Sequence, residues 1–106
     1  MTAIEKQFQE DMIDIYDTAQ TEFDYRATRL LRLVSTFGGV QAARQLIDPN
    51  VDTYGREVLM ENERLELSVE ALVLREEYYG LFTDEERQVC REILDELGYD
   101  AGGEPR

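Results

Sequence analysis

The sequence predicts an all-α fold, a compact bundle of five to six helices in a single domain, and three observations predict it. Apolar residues recur at helical spacing along nearly the whole chain. Convincing strand alternation is almost nowhere. Glycine, proline and capping residues fall between the periodic runs. A length of 106 residues suits one domain. Residues 1–98 read as the bundle and 99–106 as a polar tail that is loosely held.

From Ile4, the residues Phe8, Met12, Ile15, Tyr16, Ala19 and Phe23 recur every three or four positions. That spacing predicts one amphipathic helix over about residues 3–22. Asp24 is expected to cap a second helix carrying Ala27, Leu30, Leu31, Val34 and Phe37. Gly38-Gly39 should stop it, as glycine does just past a helix end. A short third helix follows, with Val40, Ala43, Leu46 and Ile47 inward. Asp48-Pro49-Asn50 breaks the chain, and a fourth helix starts at Thr53 or Tyr54 and runs to about Glu63.

Residues 65–74 are ambiguous. They open with strand-like alternation, while Leu67, Ala71, Leu72 and Leu74 suit a buried helix with Ser68 near its start. Helix is the better reading, because a lone strand has no partner. Tyr78 to Phe82 reads as an aromatic turn. The last helix is the clearest: Thr83 and Glu86 make a capping box, and Asp84 and Glu85 sit favourably at the positive end of the helix dipole. Val89, Cys90, Ile93, Leu94 and Leu97 form its buried stripe, Arg91 is placed to pair with Asp95, and Gly98 ends it.

Charge is the strongest compositional signal, with 24 acids against 11 bases and a net charge of −13. It is unevenly spread. Residues 1–24 hold seven acids and one base, residues 25–47 four arginines and no acid, and residues 48–106 seventeen acids and six bases. Self-repulsion of this size favours solubility and disfavours direct contact with nucleic acid or an anionic membrane. No apolar run approaches the length of a membrane span, and Met1 to Glu10 does not resemble a secretory signal. The single cysteine, Cys90, has no internal disulfide partner and points to a reducing cytoplasm. Arg26, Arg29 and Arg32 recur every three residues, and the expectation is that they pair with the flanking acidic helices.

Most catalytic chemistry is excluded by what the chain lacks. Histidine is absent, which removes the usual general base near neutral pH and the commonest metal ligand. Ser35 and Ser68 therefore have no triad, and neither a zinc site nor a Glu-x-x-His di-iron site can be built. Gly38-Gly39 lacks the Lys-Ser/Thr of a phosphate loop. A carboxylate-only site, as in glycosidases, is set aside because the chain is too small for a deep cleft. Asp48, Asn50 and Asp52 match the first ligands of a calcium loop, but Thr53 stands where its glycine belongs and Leu59 where its closing glutamate belongs. A helix-to-helix turn rich in Asp and Asn is the simpler reading. Cys90, on a buried stripe, reads as an inert core residue. The expectation is no enzyme, no metal and no cofactor.

Four segments carry a resemblance: Gly38-Gly39-Val-x-Ala-Ala-Arg-x-Leu46, Arg64-Leu-Glu-Leu-Ser-Val-Glu-Ala-Leu-Val-Leu74, Leu81-Phe-Thr-x-Glu-Glu86 and Leu97-Gly-Tyr99. Together they resemble a widespread family of small, uncharacterised bacterial proteins, a module also similar to C-terminal domains of larger proteins. The resemblance covers about residues 10–99. It departs where that family carries a Gly-Phe-x-x-Leu-Trp-Glu-like segment, since Tyr54-Gly55-Arg-Glu-Val-Leu59 stands there and the chain has no tryptophan. The resemblance implies a helical accessory module encoded near mobile elements or defence genes. It carries over no activity and no functional residue.

Recognition is the remaining function. One expectation is a non-enzymatic interaction module docking on a larger bacterial or phage protein through Tyr54, Tyr78 and Tyr79 with the neighbouring Glu76 and Glu77, since tyrosines make good interface anchors. The other is a phage or mobile-element inhibitor whose carboxylates, Asp11, Asp14 and Glu22 among them, imitate nucleic-acid phosphates and block a DNA- or RNA-binding defence enzyme. A homodimer is a further expectation, because a small amphipathic bundle can leave one apolar stripe uncovered.

Overall fold

The computed structural model describes residues 2–48, 50 and 53–99, with the side chains of all of these except 53–55. The described chain is all-α. Six α-helices follow in order: α1 (Ala3–Phe23), α2 (Thr28–Phe37), α3 (Gly39–Leu46), α4 (Thr53–Glu61), α5 (Val69–Val73) and α6 (Asp84–Glu96). Two short 3-10 segments, Leu65–Leu67 and Glu76–Leu81, lie before and after α5.

Helix α1 buries Phe8, Met12 and Ala19 along one stripe, as its spacing predicts. It opens on a capping box that the sequence reading did not single out. The Thr2 hydroxyl accepts from the Glu5 amide (3.2 Å), and Glu5 accepts from the Thr2 amide (3.0 Å). That hydrogen bond holds the Glu5 carboxyl below its ordinary pKa. Asp24 does not cap α2. It ends α1 in the left-handed conformation at φ 57°, its amide bonded to the Ala19 and Gln20 carbonyls. Aspartate visits this region more readily than most side chains, and the connection to α2 then runs through Tyr25 to Ala27, with no side-chain cap at Ala27.

Gly38 separates α2 from α3 at φ +85°, where a side chain would be strained. Gly39 has a different task. A Cβ there would lie 2.7 Å from the Gln9 Cα, so only glycine lets α3 approach α1 this closely. The Gly39 amide donates to Gln9 Oε1 at the same crossing (3.0 Å).

The ambiguous 65–74 segment resolves as helix in two pieces. Leu65–Leu67 makes one 3-10 turn, and Ser68 then caps α5, its hydroxyl accepting from the Ala71 amide (3.0 Å). Helix α6 has the capping box foreseen for Thr83 and Glu86. All these elements share one core, in which Phe8 packs edge-on against Tyr78 (5.0 Å between centroids) and near Phe82 (5.2 Å). No helix among the described residues is long and apolar enough to cross a membrane. Of the expected tail, only Tyr99 is among the described residues.

Candidate interaction surface

The segment Glu76–Leu81 places two adjacent tyrosines in opposite environments. Tyr78 turns inward, with no exposed surface, and its hydroxyl donates to the Asp11 carboxylate of α1. Burial and this anionic neighbour push the Tyr78 pKa up to about 12. Tyr78 is thus a core residue and not an exposed anchor. Tyr79 turns outward, 45% exposed. The Arg87 guanidinium lies 4.7 Å from its ring centroid and also donates to the Tyr79 carbonyl (2.7 Å) and to the Phe82 carbonyl (2.5 Å). Arg87 is held in turn by Asp84. An aromatic ring is thereby packed against a guanidinium at the surface. Glu76 and Glu77 flank it and are exposed. The side chain of Tyr54 lies outside the described residues.

Beside this edge is a hollow of about 360 Å³, with Glu5, Gln9, Phe37, Arg44, Gly80 and Leu81 in its wall. Phe37 stands 53% exposed at its rim, where the sequence reading placed it on the apolar face of α2. The reason is position: Phe37 is the last residue of α2 and projects beyond the core that Leu30 and Val34 reach. Arg44 fixes one wall, bonded to Glu86 (3.0 Å) and to the Leu81 carbonyl (3.0 Å).

The carboxylates named for nucleic-acid mimicry do not share one fate. Asp14 is exposed, and it forms no ion pair among the described residues. Asp11 is half-buried, tied to Tyr78 and 3.6 Å from Arg75. Glu22 is gripped by Arg64, which also holds Glu66 (2.5 Å) and lies 5.6 Å from the Phe23 ring centroid. These carboxylates raise the Arg64 pKa further. Two of the three acids are therefore partly neutralised within the fold.

The interior holds an ion pair that the sequence reading missed. Arg56 of α4 and Glu70 of α5 are 7% and 3% exposed. Glu70 Oε2 accepts from Arg56 Nε (3.1 Å) and Nη2 (3.0 Å), and Arg56 also donates to the Leu46 and Asp48 carbonyls (2.8 and 3.0 Å) just where α3 ends. The pair joins three helices. The signal was present, since Glu70 is a carboxylate inside the apolar run Val69 to Leu74 and needs a buried partner. Beside it lies a space of about 30 Å³, enough for one water and no substrate.

Cys90 is fully buried on α6. Burial, chiefly, pushes its thiol up to about 12, so it stays protonated and unreactive at neutral pH. Asp48 accepts from the Asn50 amide (2.9 Å) in a local turn, while Pro49, Val51 and Asp52 of the calcium-like stretch lie outside the described residues. Among the described residues, no group of three or more Cys, Asp or Glu side chains is placed to hold a metal ion.

The expected pairing of Arg26, Arg29 and Arg32 with neighbouring acids is corrected. All three are exposed and none lies within 4.0 Å of a carboxylate among the described residues. With Leu30 and Val34 turned into the core, Arg29 and Arg32 must point away from the body of the protein. No family model, no curated protein and no solved structure matches this chain.

Proposed function

We propose that the chain is a non-enzymatic interaction module that docks on a larger bacterial or phage protein through the Tyr79 edge. One observation carries the reading: of the three large apolar side chains exposed among the described residues, Phe37 lines the hollow and Tyr79 is next in the chain to Gly80, which also lines it. Tyr79 is held in place by Arg87, so little side-chain entropy remains to be lost on binding. Glu76 and Glu77 supply a polar rim, as interfaces have around their apolar centre. The buried ionisable groups have a structural occupation instead. Arg56 and Glu70 hold three helices together, and Asp11 holds Tyr78.

The test is affinity capture from the native host by wild-type protein and by the Phe37→Ala/Tyr79→Ala double variant, eluted in a salt gradient. A module using this edge retains a defined protein to high salt, and the variant loses it. Recovery of the same proteins at the same salt with both baits would refute the edge.

A second reading is a nucleic-acid mimic, favoured by one observation. Glu10, Asp14 and Asp17 form an exposed row on α1 with no cation within pairing distance among the described residues. That partner would elute at low salt, compete with DNA, and be lost on Asp14→Lys/Asp17→Lys while tolerating Tyr79→Ala.

A further inference from the structure

Arginines in this fold divide into two groups. Arg44, Arg56, Arg64, Arg75 and Arg87 each meet a carboxylate. Four described arginines do not, and three of them, Arg26, Arg29 and Arg32, lie on or just before α2 (the fourth, Arg91, donates to Gln88). With 24 acids in the chain, three guanidiniums close in sequence without one among the described residues are a local excess of positive charge. The outward face of α2 is completed by Thr28, Ser35 and Thr36, all exposed, and residues 25–47 contain no acid.

The complementary surface is on the same molecule. On α1, Glu10, Asp14 and Asp17 lie about half a turn from the buried Met12, and are exposed. At 1.5 Å per residue this carboxylate row is about 10 Å long. Arg26 to Arg32 covers a similar distance, the helical part at the same rise and the two residues before it more extended. Arg29 and Arg32 of α2, with Arg26 just before it, can therefore lie along the carboxylate row of a second α1 laid beside them.

We propose that the α2 arginine row pairs with the Glu10-Asp14-Asp17 row of a second copy of this chain. Guanidinium and carboxylate match in charge, number and span. Helices α1 and α2 pack against each other, so both rows belong to one part of the molecule. A two-fold arrangement then uses each row twice and closes as a dimer. A long polyanion such as nucleic acid fits less well, because beyond the short arginine row it is repelled by a chain with 24 acids against 11 bases. The contact is weak by construction: exposed pairs contribute little each, and two chains of net charge −13 repel at long range.

Sedimentation of the full chain over a range from about 20 µM to 1 mM at about 0.1 M salt tests this, with circular dichroism to check that each variant is folded. Wild type is expected to dimerise reversibly. Arg29→Glu/Arg32→Glu and Asp14→Lys/Asp17→Lys should each weaken self-association at least about tenfold. An equimolar mixture of the two variants should associate, because each of its α2–α1 contacts again joins opposite charges. A wild type that stays monomeric overturns the proposal, as does a folded variant that still dimerises or a mixture that does not associate. A 20-nucleotide single strand that binds monomeric wild type and not Arg29→Glu/Arg32→Glu would also overturn it, and would assign the row to phosphate. Tyr79 plays no part here, so loss of the docking edge leaves this result unchanged.

Discussion

Arginine does opposite work in two regions of this molecule. At the junction of α3, α4 and α5, Arg56 is almost fully buried, bonds Glu70 twice, and takes two backbone carbonyls. On and just before α2, Arg26, Arg29 and Arg32 are exposed and reach no carboxylate among the described residues. The difference lies in solvent. A guanidinium removed from water must have its donors met by protein, so burial dictates Arg56's partners one by one. A guanidinium left in water loses nothing by standing alone, and its surroundings are free to be set by another molecule. The inner region holds the fold together, and the outer one is left to solvent.

Breaking the inner pair should have the largest effect. Glu70→Ala removes the carboxylate that accepts two of Arg56's buried donors, and should destabilise the fold by about 3–5 kcal/mol. Replacing both partners by apolar residues of similar volume, Arg56→Met with Glu70→Leu, should recover most of that loss. The residual cost comes from the Leu46 and Asp48 carbonyls, which lose their donor. Denaturant titration of the two single variants and the double variant measures the coupling. If the single variants cost less than about 1 kcal/mol, the junction is solvated and the contrast with α2 collapses.

Gly39 sharpens the same contrast through packing. Gly39→Ala places a methyl group against the Gln9 backbone, and an overpacked contact between two helices costs about 1–3 kcal/mol. An Ala42→Gly change in the same helix removes a buried methyl without adding a clash. A stability for Gly39→Ala above wild type would mean that α1 and α3 separate freely.

Alkaline pH gives a third measure of the interior. Tyr78 and Cys90 both titrate near 12 when folded, above their ordinary values of 10.0 and 9.0. Each binds its proton more tightly in the folded state than in the unfolded one. Their contribution is complete at neutral pH, begins to fall once the unfolded groups ionise above pH 9 to 10, and is gone above the folded values. Cys90 alone should cost roughly 3 kcal/mol by pH 11. Chemical denaturation from pH 8 to 11 should show that slope, and Cys90→Ala should flatten it.

What could be read from the sequence follows how local the determining physics is. The span of α1 and the Thr83-Glu86 box follow from residues within a few positions of each other, and both were legible. So was the Thr2-Glu5 box, which has the same spacing and was passed over. Residues 65–74 were harder because their apolar pattern suits strand and helix alike, and the Ser68 cap decided between them. Asp24 could cap a following helix or close a preceding one, and only the contacts with Ala19 and Gln20 settle which. The Arg56–Glu70 pair joins residues on different helices. Its sequence signal was one glutamate in an apolar run, with no indication of its partner. The exposure of the α2 arginines was least legible, since the acids that flank them in sequence turn to other sides.

The smallest effect is expected where the recognition proposals are concentrated. Arg29→Glu/Arg32→Glu alters two exposed side chains that reach no carboxylate among the described residues and that lie opposite the buried Leu30 and Val34 of α2. Surface changes of this kind ordinarily move stability by no more than about 0.5 kcal/mol. The sign should be slightly unfavourable, since the substitution raises the net negative charge of an already acidic chain and adds to its self-repulsion. Raising the salt should shrink even that difference. Denaturant midpoints at low and at high salt, at a protein concentration where the chain is monomeric, measure it directly. A loss of 2 kcal/mol or more would mean that these guanidiniums are held by the fold after all, and the division between an arginine that secures the core and arginines left to solvent would no longer stand.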